Sequence, residues 1–213
     1  MKNNYKYSFL YFLYFLIYYP WYRFLENKVT FFYPMNSIID NKIPFCKYFI
    51  IPYIIWFAYV AFAYVFFYLK DKKSFYKMAL FLTIGMTTTM LICTVYPNGL
   101  INFRPIINKP DDIFDYLVLF IHNNDTSTNV FPSIHVYNSI GVNYAIQKYN
   151  NFKKNNLTHF ISMILCISIC LSTIFLKQHA IIDVLGAILL AGIVRFIVYN
   201  KNNYKKIIEN INT

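Results

Sequence analysis

Two histidines and one aspartate stand at spacings that suit phosphoryl chemistry. His179 and Asp183 are four residues apart in an apolar run. Residues i and i+4 share one helix face, so this spacing places a carboxylate beside an imidazole. A carboxylate that accepts a hydrogen bond from one ring nitrogen fixes the tautomer and makes the other nitrogen a better nucleophile or base. An aspartate in an apolar helix is costly unless paired, which gives a second reason to expect the contact. His135 follows Pro132-Ser133 at the start of another uncharged run. That pattern predicts a helix start with Ser133 as cap, and the free N–H groups of a helix N-terminus favour phosphate. Arg104, before Pro105, offers a planar fork of donors for phosphate oxygens, and Lys177 offers a second cation.

Each element alone has an ordinary reading. Arg104 suits an interfacial loop, and Pro132-Ser133 a plain helix start. His179 with Asp183 suits a structural pair within a membrane. Lys177 is read either as a phosphate ligand or as a snorkelling interface residue. Asp125 is either a loop acid or a contact to a substrate headgroup. What favours chemistry is the combination of nucleophile, orienting acid and anion site in one chain.

The elements that must position these residues are membrane helices. Of the 213 residues, 58% are hydrophobic, 21% aromatic and only 14% charged. Average globular chains carry about 25% charged residues, so the polar residues here are too few to cover a soluble surface. Disordered polycations are poor in aromatics, and four Cys in this length do not make a disulfide framework. Uncharged runs approach the roughly 20 residues that a spanning helix needs. They predict six spans: Tyr5–Tyr22, Tyr48–Leu69, Phe75–Val95, Ser133–Lys148, Thr158–Leu176 and Gln178–Asn200. The fourth contains Asn138, Asn143 and Gln147, so one of its faces should look into the bundle. Between the spans lie two long loops, 23–47 and 96–132. The first contains an apolar interfacial segment, Val29–Ile39. The expectation is an all-α polytopic membrane protein, one integral domain over 1–213.

The net charge of +11 is read as an orientation signal. With six spans, 12 Lys lie on the side of both termini and seven basic residues on the other. The positive-inside rule then makes both termini cytoplasmic. Arg104, the Pro132–His135 turn and the Lys177–Asp183 segment fall together on the outer side, so the site is expected at the extracytoplasmic ends. The Lys, Asn, Ile, Phe and Tyr bias points to an AT-rich, bacterial genome and hence a bacterial plasma membrane.

Arg104-Pro105, Pro132-Ser133-Ile134-His135, and Ser172 with His179 and Asp183 occur in that order. In this the chain resembles the type 2 phosphatidic acid phosphatases, or lipid phosphate phosphatases, related to vanadium haloperoxidases. That family carries KxxxxxxRP, PSGH and SRxxxxxHxxxD motifs. The likeness covers roughly 75–200, which it marks as the catalytic core. Three positions depart: Pro97 stands for the Lys, Ile134 for the Gly, and Thr173 for the Arg. The reduced set also resembles the inositol phosphorylceramide and sphingomyelin synthases.

The resemblance implies that His179 forms a phosphohistidine, oriented by Asp183. His135 protonates the leaving oxygen and then activates water or an alcohol. Arg104, Lys177 and the N–H groups near Ser133 hold the phosphoryl oxygens. It implies hydrolysis of a phosphatidate-type monoester or polyprenyl pyrophosphate without metal or cofactor. Transfer of a phospho-headgroup to an acceptor alcohol is the alternative. A membrane lipid phosphate is the expected partner, and nucleic acid is not.

Overall fold

The computed structural model describes residues 9–28, 30–152 and 155–200. Long uncharged stretches fold as helices: α1 Leu10–Lys28, α3 Ile50–Lys70, α4 Lys72–Val95, α6 Ile134–Lys148, α7 Asn156–Phe175 and α8 Ile181–Tyr199. Each overlaps one of the six expected spans. Among the described residues, four segments are long and apolar enough to cross a bilayer: Lys47–Lys70, Lys72–Val95, Asn156–Phe175 and Ile181–Tyr199. The expected beginning of the first span, before Phe9, lies outside the described residues. So do Lys2, Lys6, Lys153, Lys154, Lys201, Lys205 and Lys206, seven of the basic residues counted toward the inner side.

The helix α6 has 15 residues. At 1.5 Å per residue it is about 22 Å long, short of a hydrocarbon core of roughly 30 Å. It lies centrally, packed against α3, α4, α7 and α8. That position explains its polarity. Asn138 and Ser139 are buried. The Ser162 hydroxyl on α7 donates to Asn143 Oδ1 at 2.8 Å, and Gln147 Nε2 donates to the His159 carbonyl at 3.0 Å. Satisfied polar contacts of this kind join helices where apolar side chains gain little from leaving lipid. Close approach of α4 to α6 depends on Gly85, where a Cβ would stand 2.0 Å from the Tyr137 ring. The Tyr137 hydroxyl then reaches across to donate to the Phe81 carbonyl at 2.7 Å.

The two long loops are more ordered than their composition suggests. Tyr33–Pro34 (β1), within the expected interfacial segment, pairs in parallel with Asn98–Gly99 (β2). A four-residue helix follows, α2 Ile38–Asn41. Within 96–132 lies α5 Ile113–Asn124, which the sequence reading treated as loop. Asp112 caps it by accepting from the backbone N–H groups of Phe114 and Asp115. Lys47, just before α3, bridges Asp112 and Asp115 at 3.0 and 2.9 Å. His122 is therefore helical, not a loop residue.

Candidate active site

His179 is not on a helix. It sits in the turn between α7 and α8, and Asp183 lies in the first turn of α8, with Ala180 as N-cap. The α7 helix ends in a Schellman-type closure: Gln178 N–H reaches the Thr173 carbonyl and Lys177 N–H the Ile174 carbonyl, each at 3.0 Å. Lys177 occupies the left-handed position of this closure, with φ 58°. The His179 backbone N–H also bonds the Thr173 carbonyl at 3.0 Å. The i, i+4 pairing is realised nonetheless. His179 Nδ1 stands 3.5 Å from Asp183 Oδ2. That oxygen also accepts from the Ala180 N–H at 2.8 Å, fixing the carboxylate against the helix start. The 3.5 Å separation is an ion-pair distance, too long for a well-formed hydrogen bond. With Nδ1 turned to Asp183, Nε2 is the nitrogen left for the cavity that His179 lines.

His135 occupies the first turn of α6. Ser133 caps that helix, its Oγ accepting from Val136 N–H at 3.4 Å, and is fully buried. The Ser133 N–H donates to the Asp183 carbonyl at 3.1 Å. One backbone bond thus ties the start of α6 to the start of α8, although they are fifty residues apart in sequence. The His135 ring packs against Trp56 and Tyr53 of α3, with centroids at 4.3 and 4.7 Å. Its centroid lies 5.7 Å from that of His179.

Both histidines line a cavity of about 580 Å³. Its lining is mostly apolar, with Tyr18, Met90, Phe57, Leu117 and Phe120 among the side chains. Gln178, Asp125, Thr126, Thr128 and Asn129 add polar groups. That mixture suits an amphipathic ligand.

The two cations expected at the phosphate are engaged elsewhere. Arg104 donates to the backbone carbonyls of His122, Asp125 and Thr126 at 3.1, 2.7 and 2.8 Å, and to Gln178 Oε1. It holds the C-terminal end of α5 to the turn between α7 and α8. Lys177 points to the α2 side, donating to the Asp40 carbonyl at 2.7 Å and lying over the Phe103 ring. Burial lowers its pKa, with Asp40 pulling the other way. The cavity lining contains neither Lys nor Arg.

Asp40 is the residue that sequence reasoning missed. It is 1% exposed. Its Oδ2 accepts from the Ser37 N–H and hydroxyl at 2.7 Å, and its Oδ1 from the Ile181 N–H at 2.7 Å. The carboxylate therefore sits against the N-terminus of α8, where the helix dipole favours it. A local signal existed: Ser37-x-x-Asp40 has the spacing of a capping box. Asp40→Ala is expected to lower stability by about 3 kcal/mol, because charge-assisted bonds to buried N–H groups are lost. Thermal unfolding in detergent measures this. An unchanged midpoint would remove Asp40 from the frame of the turn.

A pH dependence arises at His122, whose Nε2 lies 3.3 Å from the Leu176 carbonyl. Burial, then the Arg104 charge, lower its pKa from 6.5 to about 4. Between these values the unfolded chain binds the extra proton, so stability is full above about 6.5 and falls as pH drops toward 4. Unfolding midpoints between pH 7 and 4 should fall more steeply for wild type than for His122→Gln. Parallel curves would contradict this.

Among the described residues, no group of three or more His, Cys, Asp or Glu side chains has the arrangement of a metal site. The bundle and its two-histidine, one-aspartate cluster define a class: membrane-type helical proteins with two imidazoles and a carboxylate gathered at one cavity. A model of the PAP2 superfamily matches residues 97–207, just over half of the chain, and the chain belongs to that superfamily. Its activity is accordingly of the phosphatase type, on phosphate esters. Neither a curated protein nor a solved structure matches the chain.

Proposed function

We propose that the protein is a metal-independent lipid phosphatase that works through a phosphohistidine on His179. The observation that carries this reading is the pair of histidines, ring centroids 5.7 Å apart, on one cavity whose lining combines apolar and polar side chains. His179 Nε2 attacks phosphorus and forms an N–P bond as the ester P–O bond breaks. His135 gives its proton to the leaving oxygen. It then takes one from water, whose oxygen displaces His179 and releases phosphate. Asp183 holds His179 and balances the charge of its phosphorylated ring. The Tyr53 and Trp56 ring faces stabilise His135 when protonated.

Phosphoryl oxygens are held by the first-turn N–H groups of α6 at Ile134 and His135, where Ser133 sets the turn. Arg104 and Lys177 supply positive potential from behind the wall rather than direct contacts. Phosphatidate-type monoesters and polyprenyl pyrophosphates suit the mixed apolar and polar lining.

In this reading the whole chain is one integral membrane domain with residues 75–200 as its catalytic core. The six-span layout lies in a bacterial plasma membrane, with α6 as a short central segment surrounded by α3, α4, α7 and α8, both termini cytoplasmic and the histidines at the outer ends. The absence of Lys and Arg from the cavity lining favours a second reading, lipid phosphotransfer, in which an alcohol replaces water. Purified protein in EDTA, offered a panel of lipid phosphates, tests the first. Vanadate-sensitive phosphate release is expected, and no release from any of them would overturn it.

A further inference from the structure

At the end of the bundle away from the histidines, a second cavity lies between α6 and α8. These two helices run side by side in the same direction. The Ser133 to Asp183 backbone bond joins their starts. Near their ends Tyr144 meets Tyr199, with ring centroids 4.6 Å apart and planes at 86°. The cavity measures about 370 Å³, and its lining includes Tyr144 of α6 with Gly192, Arg195, Phe196 and Tyr199 of α8.

Arg195 supplies the charge of this lining. It interrupts a run from Val184 to Tyr199 that is otherwise uncharged. A cation in a spanning helix is costly, and such a residue is a functional group by default. A snorkelling arginine extends its head into water. Here the guanidinium carbon is instead laid over the Tyr144 ring, 4.5 Å from its centre. Arg195 makes no hydrogen bond or ion pair with any described residue. Arg104 is the contrast, since its donors are spent on oxygens of the protein. Arg195 keeps its planar fork, the geometry that matches phosphate oxygens.

Two more cations converge on the same rings. Lys148 Nζ, at the end of α6, stands 5.5 Å from the Tyr144 ring centre, and Lys77 Nζ of α4 stands 5.7 Å from that of Tyr199. Three helices thus bring three positive charges to two touching rings. Among the described residues no carboxylate pairs with Arg195 or Lys148. Asp71, the acid at this end of α4, is committed to the helix cap, where it accepts from the Lys73 and Ser74 N–H groups and the Ser74 hydroxyl. Like charges gathered without a counter-charge repel, and an anion among them relieves this.

The surface beside the cavity indicates which anion. Leu189, Ile193 and Phe196 stand at i, i+4 and i+7 of α8, on one helix face, and all three are exposed. Acyl chains cover such a face, and a phosphate answers the cations. A soluble phosphate does only the second.

We propose that Arg195, Tyr144 and Lys148 form a headgroup site for an anionic phospholipid, with its phosphate on the Arg195 fork and its chains along Leu189, Ile193 and Phe196. The site binds and does no chemistry: neither a histidine nor a carboxylate lines it. It is separate from the histidine cavity and does not rest on the phosphohistidine reading. The lipid held there bridges α6 and α8, whose other ends carry His135 and Asp183.

A local reporter tests this. Phe196→Trp, in a Trp21→Phe, Trp56→Phe background, places the indole at the cavity. In nanodiscs, quenching by phosphatidylglycerol with brominated chains is compared with quenching by phosphatidylcholine brominated in the same way. The expected preference for phosphatidylglycerol is about fivefold or more, and Arg195→Gln should bring it to within about twofold of unity. Arg195→Lys keeps the charge but not the fork, so its preference should fall between the two. It also keeps the test decisive should the neutral variant fail to fold. Lys73→Gln removes a charge from the same end of the bundle but outside the cavity, and should leave the preference unchanged. Equal quenching by the two lipids in wild type overturns the site. So does an equal loss in Lys73→Gln, which marks a diffuse field, or a preference that Arg195→Lys keeps in full. Millimolar glycerol phosphate should not relieve the quenching; if it does so in wild type, the ligand is a soluble phosphate and the lipid site is refuted.

Discussion

His179→Ala is expected to lower phosphate release from any lipid substrate by about 10⁴-fold or more, the scale on which a covalent nucleophile acts as part of a catalytic unit. The substitution should leave the turn intact. Its hydrogen bonds run from backbone groups: His179 N–H and Gln178 N–H to Thr173, and Ala180 N–H to Asp183. Loss of activity would therefore not be loss of fold, and an unchanged unfolding midpoint checks this. The distinguishing readout is the intermediate. Labelled substrate, quenched in alkali, should leave an acid-labile phosphoramidate on wild type and none on His179→Ala. His135→Ala should behave differently. It still has the nucleophile, but lacks the base that activates water, so the labelled intermediate should persist longer than in wild type. Activity of His179→Ala within tenfold of wild type would sink the nucleophile. Label on His179→Ala would move the phosphoryl acceptor to another side chain.

The chain made its helices legible because lipid imposes a simple rule. Backbone groups must be satisfied within the segment, so uncharged runs such as Tyr48–Leu69 can be little else than helix. The order of His135, His179 and Asp183 was legible for a related reason: polar groups in apolar surroundings need a purpose. What could not be read was direction. Lys177 and Arg104 have the right charge and the right place in sequence, yet both turn toward carbonyl oxygens of the protein. In Lys177 the cause is the left-handed turn that closes α7, which no local pattern announces without a glycine. Asp40 was hidden for the opposite reason. Its partner, the Ile181 N–H, lies 141 residues away, and nothing in a loop of mixed composition points that far. The helix α5 was lost in a stretch dominated by prolines and acids, although Asp112 marks its start.

Asp183→Asn should lower kcat by roughly 10²–10⁴-fold while leaving KM within a few-fold, the range for groups that assist proton and charge movement in the transition state. The argument turns on the two tasks of one carboxylate. Oδ2 both holds the Ala180 N–H at 2.8 Å and faces His179 Nδ1 at 3.5 Å. An asparagine oxygen in that place keeps the backbone bond, so α8 should begin as before. It does not keep the charge. When His179 Nε2 bonds phosphorus, the ring with its Nδ1–H becomes cationic, and a buried cation without a counter-charge is strongly disfavoured. The penalty falls on the transition state and the intermediate, not on the bound substrate, which is why kcat should fall and KM should not. Asp183→Ala adds a structural loss, because the Ala180 N–H is also stripped of its acceptor, at a cost of about 1 kcal/mol. The pair of variants separates the tasks: equal stability of wild type and Asn with a low kcat marks a charge effect, whereas parallel losses of stability and kcat mark a capping effect. An Asn variant within threefold of wild type would leave His179 without an electrostatic partner and refute its activation by Asp183.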